Sequence, residues 1–186
     1  MAICCLPRSK KRLHNMEICH RGDNIEISDL DPFLAELLRQ IPTSTDPQGV
    51  PAAEKRLVSA PVEPAEKEIC KEWKTYVEPE LRRLFRSATE TVAADLKQLG
   101  GNEKQFANCT LRIPTSNADA WLNALNQARL ALAAKYEFTD GELCDHYRSP
   151  VASRRDLSLF QVNFYGFIQE FILRTVYGDE TVLQEG

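Results

Sequence analysis

Phe160, Phe164, Phe167 and Phe171 recur at spacings of four, three and four, an arrangement that an extended strand would split between its two faces. At 3.6 residues per turn the four rings fall on one helical face. Ile168, Ile172 and Val176 widen that seam, while Gln161, Asn163, Gln169 and Glu170 occupy other faces. The pattern predicts a helix from about Asp156 to Tyr177 that buries an aromatic side in a protein core. The polar residues on its remaining faces argue against a membrane segment.

Such a seam needs a partner. The segment from about Ala118 to Tyr136 is the most strongly patterned in the chain, with Trp121, Leu125, Ala128 and Leu132 on one side and Thr115-Ser116-Asn117 ahead of it as capping residues. Asp119 falls in its first turn, where the helix dipole favours an acid. Three further helices are expected. Asp31-Pro32 supplies an N-cap and a proline suited to the first helical position, after which Leu34, Leu37, Leu38 and Ile41 share a face until Pro42. Residues 65–77 set Ile69, Trp73, Tyr76 and Val77 opposite Lys67, Lys71 and Lys74. From Pro79, Leu81, Leu84, Phe85, Ala88, Val92, Leu96 and Leu99 form a stripe ended by Gly100-Gly101, and Glu78 before the proline predicts a break or kink between these two helices.

The β content is small. Met16, Ile18, Ile25 and Ile27 alternate with polar residues around His20-Arg21-Gly22-Asp23-Asn24, a hairpin signature, and Cys109, Leu111 and Ile113 alternate in a third strand. Arg21-Gly22-Asp23 is read as turn chemistry rather than as an adhesion tripeptide. The fold class is mainly α (α+β): about five helices around one core with a small antiparallel β-hairpin plus one further short strand. Five of the ten prolines lie between Pro42 and Pro64, so residues 42–64 are expected to be a linker outside the core. Residues 1–15 are expected to be a flexible basic arm, and 16–186 a single domain.

Charge and composition narrow the function classes. With 43% hydrophobic and 27% charged residues in 186, a core of ordinary size can form. The arm carries Arg8, Lys10, Lys11 and Arg12 without an acid, so a net charge of −4 leaves −8 on the remainder. An acidic body repels nucleic acid, and contact with it would rest on the arm or a local cluster. There is no apolar run of membrane-spanning length and no signal-peptide pattern, so a cytoplasmic location with reduced cysteines is expected. Gly100-Gly101 follows a helix rather than opening one, and neither a phosphate-binding glycine loop nor a nucleophile elbow is present. No cofactor is expected.

The stretch from Leu111 to Leu143 resembles an uncharacterised bacterial domain-of-unknown-function family known mainly from actinobacteria. Its recurring pattern is A-x-x-W-L-x-x-L-N-x-x-R-L-x-L followed by an acidic loop. Trp121, Leu122, Leu125, Asn126, Arg129, Leu130 and Leu132 match that pattern, and Thr139-Asp140-Gly141-Glu142 matches the loop. The family's usual L-G-x-R-L is here Leu132-Ala133-Ala134-Lys135-Tyr136, without the glycine or the arginine. Genes of the family often neighbour the gene for the Clp protease adaptor ClpS, so the resemblance implies a regulatory or adaptor role near regulated proteolysis.

Asn126, Arg129 and Glu142 are the candidate partner- or anion-binding residues. Asn126 and Arg129 are three apart and therefore adjacent on the helix surface at the margin of its apolar stripe. A guanidinium there needs acceptors, which Asp140, Glu142 or a carbonyl of the last helix can supply, so a structural clamp is weighed ahead of ligand recognition. Cys19-His20 and Cys144-Asp145-His146 hold metal-ligand side chains without the usual spacing, and no metal site is expected. Arg148, Arg154 and Arg155 are read as a solvated basic loop. The leading expectation is a non-enzymatic regulatory or protein-interaction module, ahead of a DNA-associated regulator using the arm and the arginine loop, and of an enzyme with an unrecognised site near Arg129.

Overall fold

The structure is a computed structural model and describes residues 11–13, 16–47, 49–60, 66–99, 109–144 and 152–178. The expected hairpin and third strand are β2 (Met16–Arg21), β3 (Asn24–Leu30) and β4 (Cys109–Pro114), with a short β1 (Lys11–Leu13) paired to the open edge of β2. Regular structure thus reaches into the expected arm, because β2 still offers an unpaired edge there. All pairings are antiparallel, and Ile18 opposite Ile27 and Ile27 opposite Leu111 align one buried face. Gly22 takes φ 58 in the two-residue turn between β2 and β3, a conformation that glycine adopts without a Cβ penalty. Asp29, at φ 54, sits where the β3–β4 register shifts, the local cost of a bulge that returns Leu30 to the core.

Helix α1 (Pro32–Arg39) starts as its sequence dictates: the Leu34 N–H donates to Asp31 Oδ1 at 2.8 Å, and Pro32 occupies the first turn. Pro42 does not end the helical stretch. It falls in the first turn of α2 (Ile41–Ser44), Pro51 opens α3 (Pro51–Val58), and Pro79 lies in the first turn of α5 (Glu78–Leu96). The segment expected to be a linker therefore contributes two helices, since proline lacks only an N–H that a first turn leaves unused. Ala53 is fully buried against Ala131 and Ala134, where small side chains let α3 approach closely. Of the expected linker, residues 48 and 61–64 lie outside the described residues.

The break or kink expected at Glu78-Pro79 is met by a π-turn rather than by an interruption of the helix. Helix α4 (Lys67–Glu72) runs through a π-turn over Trp73–Val77 directly into α5, and the Glu78 N–H reaches back five residues to the Trp73 carbonyl. A one-residue insertion of this kind accommodates the hydrogen bond that Pro79 cannot donate.

Helix α6 (Ala118–Lys135) is the central rod. It packs against α2, α3, α5 and α8 (Arg154–Tyr177), which accounts for buried residues on most of its sides. Trp121, Phe164 and Phe171 are fully enclosed in the core shared with the sheet, whereas Phe160 and Phe167 pack at its edge. Ser153 caps α8 through a reciprocal capping box with Asp156. At the edge of β4, Gln98 stands in for a strand neighbour at one residue: its Nε2 donates to the Arg112 carbonyl at 2.9 Å and its Oε1 accepts from the Arg112 N–H at 3.3 Å. Among the described residues no helix is long and apolar enough to cross a membrane.

Candidate functional site

Arg129 projects from α6 onto α8 at the position where α8 has a glycine. A Cβ on Gly166 would stand 3.3 Å from the guanidinium carbon, so the planar group lies close over the α8 backbone. Its Nη1 donates to Gln169 Oε1 at 2.7 Å, and Gln169 Nε2 donates back to the Leu122 carbonyl of α6 at 3.1 Å. Burial lowers the Arg129 pKa, yet a guanidinium starts so high that it stays charged. Its Nε is buried without an acceptor among the described residues. The arrangement is a two-way tie between α6 and α8.

Glu142 is employed elsewhere. Its Oε2 accepts from both the backbone N–H and the hydroxyl of Thr139 at 2.9 Å, and the Glu142 N–H donates to Thr139 Oγ1. This is a capping box at the start of α7 (Asp140–Cys144). Arg155 of α8 then pairs with Glu142 Oε1 at 2.6 Å, its guanidinium 4.7 Å from the Phe138 ring centre. The Arg155 hydrogen bond, followed by the two from Thr139, pulls the Glu142 pKa down to about 2.

Asn126 is exposed on α6, and no hydrogen bond or ion pair among the described residues joins it to Arg129 or Glu142. The three sequence candidates are thus distributed over an α6–α8 tie, an α7 cap and open surface. Of the arginine loop, Arg155 is held as above, Arg154 is exposed, and Arg148 lies outside the described residues. Cys19 and His20 lie on β2, while Asp145, His146 and the side chain of Cys144 fall outside the described residues. Among the described residues no three metal-ligating side chains gather.

Two features had no forecast. The first is a cleft of about 380 Å³ between α2, the end of α6 and the start of α8. Two of its lining residues, Gln40 and Gln161, belong to a buried network: Tyr165 donates to the Leu37 carbonyl at 2.7 Å, and Gln161 Nε2 donates to Tyr165 at 2.6 Å and to Gln40 Oε1 at 3.2 Å. Burial pushes the Tyr165 pKa up to about 12, which marks this network as a neutral bolt between α1 and α8.

The second is the arm formed by α4, the π-turn and the first half of α5. Of seven exposed large apolar side chains among the described residues, four lie here: Ile69, Tyr76, Val77 and Leu84, at 47, 72, 40 and 56% exposure. The predicted apolar stripes exist, but α4 and the π-turn bury no residue and α5 buries only Ala88, Val92 and Leu96. Trp73 anchors the arm by donating its indole N–H to the Val58 carbonyl at 3.0 Å. Arg82 ties it to α3 and to itself through Glu54 at 2.8 Å and Glu78 at 2.9 Å. The arm is held firmly in place while its apolar side faces solvent.

The sequence pattern of a domain-of-unknown-function family, DUF2017, matches residues 20–176. The chain belongs to this family. No curated protein and no solved structure matches it. The DUF2017 region takes in β3, β4, the helices described above up to residue 176 and the last two residues of β2, so the Arg129 tie, the Glu142 cap and the exposed arm all belong to the family domain rather than to an appendage.

Proposed function

We propose that this chain is a non-enzymatic protein-interaction module with a regulatory role, and that its docking face is the apolar stripe from Ile69 to Leu84. The observation that carries the reading is the uncovered side of an anchored amphipathic arm, with Tyr76 72% and Leu84 56% exposed. Contiguous apolar surface with a polar rim is characteristic of protein-binding sites, and here Lys67, Lys71 and Arg83 belong to the rim. Trp73 and Arg82 hold the arm before any partner arrives, which lowers the ordering cost of association.

The resemblance to bacterial families whose genes neighbour that of ClpS supports a cytoplasmic partner in regulated proteolysis. A nucleic-acid reading draws less support, because Arg155 of the basic loop is committed to Glu142 and Phe138. Arg129 is likewise engaged with Gln169, which favours scaffold over catalysis.

Affinity purification of the tagged chain from its native cells tests the reading. A component of a protease or its adaptor should copurify with wild type and be lost with Tyr76→Glu and Leu84→Glu, both at exposed positions and expected to fold normally. Absence of a reproducible partner, or equal recovery with the variants, would overturn it.

A further inference from the structure

A second cleft, of about 350 Å³, opens between α2, α3, α5 and α6 beside the exposed stripe. Phe85 lines it and is the chain neighbour of Leu84. Val58, whose carbonyl anchors Trp73, lines it too. The cleft and the arm therefore share α5 and the Val58 anchor point.

In its wall Gln127 of α6 is only 4% exposed, and its Nε2 has no acceptor among the described residues. A buried amide N–H without a partner is costly, and a ligand that accepts from it recovers that cost. The neighbouring Thr45 and Thr89 hydroxyls donate to the Pro42 and Phe85 carbonyls at 2.8 and 3.0 Å, and neither accepts from Gln127.

Arg86, also in the lining, is exposed and has no carboxylate within ion-pair distance among the described residues. Arg82, one turn earlier, is held by Glu54 and Glu78. A guanidinium and an amide donor in one lining, each without a partner among the described residues, favour a carboxylate over a neutral amide, which gains little from the charge. Asp46 and Glu90 line the same cleft and repel a multiply charged phosphate more strongly than a single carboxylate. Leu57, Val58 and Phe85 supply apolar walls for the flanking residues.

We propose that this cleft receives an acidic side chain, flanked by apolar residues, on a segment of the partner protein. The inference rests on the interaction reading above and adds the chemistry of the partner. The space suits a few side chains, being at the low end of the about 300–1,000 Å³ typical of ligand pockets.

The test is titration of the full-length, isotope-labelled chain with acetyl-Leu-Glu-Leu-amide, with acetyl-Leu-Gln-Leu-amide and with glutarate, followed by NMR. The glutamate peptide should shift the Gln127 side-chain amide signals and bind about tenfold more tightly than the glutamine peptide, the factor that a charge-assisted bond of about 1.4 kcal/mol provides. Arg86→Ala should remove that preference. Gln127→Leu should remove binding while the protein melts at a higher temperature, which separates lost recognition from lost folding. Equal binding of the two peptides, no binding of either, or glutarate binding as tightly as the glutamate peptide would overturn the proposal. Tyr76→Glu, by contrast, should leave the tripeptide affinity unchanged. If Tyr76→Glu abolishes partner recovery while the glutamate preference is absent, the cleft proposal falls and the interaction module stands.

Discussion

The Trp121 indole N–H donates to Asp95 Oδ2 at 2.9 Å, joining the start of α6 to the end of α5 from inside the core. Asn117 Nδ2 donates to the same carboxylate at 3.0 and 3.2 Å, so one acid receives both groups of the α6 N-terminus. Asp95→Ala strands the N–H of a fully buried tryptophan. It should cost about 1–3 kcal/mol in urea unfolding, the range for an orphaned buried donor.

Arg129 and Gly166 should behave as a coupled pair. Arg129→Ala removes the bond to Gln169 and should lower stability by about 1–3 kcal/mol. Gly166→Ala should gain close to the full helix-propensity difference of about 1 kcal/mol in the Arg129→Ala background. It should gain less in wild type, where the added Cβ would stand 3.3 Å from the guanidinium. A double-mutant cycle on thermal unfolding measures the difference.

The Glu142 pKa falls from 4.5 to about 2 on folding, chiefly through Arg155 and then Thr139. A carboxyl with a depressed folded pKa stabilises the protein above its unfolded value and loses that contribution as pH falls through the folded one. The melting-temperature difference between wild type and Glu142→Gln should therefore be fully present at pH 6, shrink below pH 4.5 and be lost only as the pH falls below about 2. A difference independent of pH over this interval would mean that the charge is not what Arg155 reads.

Residues 51–58 should behave as part of the fold. Ala53→Leu forces a branched side chain into a contact made by alanines on both sides and should cost about 1–3 kcal/mol. Ala52→Leu, at the exposed neighbouring position, should be close to neutral. Hydrogen exchange at the 54–58 amides should accelerate in the first variant alone.

Local signals carried most of the fold. Asp31-Pro32 marks a helix start because capping depends on three consecutive positions, and the spacing of Phe164 and Phe171 fixes a buried face wherever the partner lies. Pro42 and Pro51 misled for a related reason: the residue that ends one helix is also the residue best tolerated at the start of the next, as the sequence reads at Pro79. Thr139-x-x-Glu142 spelled a capping box that the reading of an acidic turn passed over. Arg129's partner was not legible as a residue, since Gln169 lies 40 positions away and meets it only through the α6–α8 packing. The stripe through Leu84 was legible as apolar but not as exposed, because periodicity gives a face and never its occupant.

A photo-crosslinking amino acid placed at position 76, and separately at 84 and at the exposed Asn126, tests the docking face most directly in living cells. Adducts to one and the same protein from positions 76 and 84, with none from 126, are the predicted result. Positions 76 and 84 yielding no adduct, or an adduct spectrum no different from that at 126, would contradict an interaction module built on the uncovered arm.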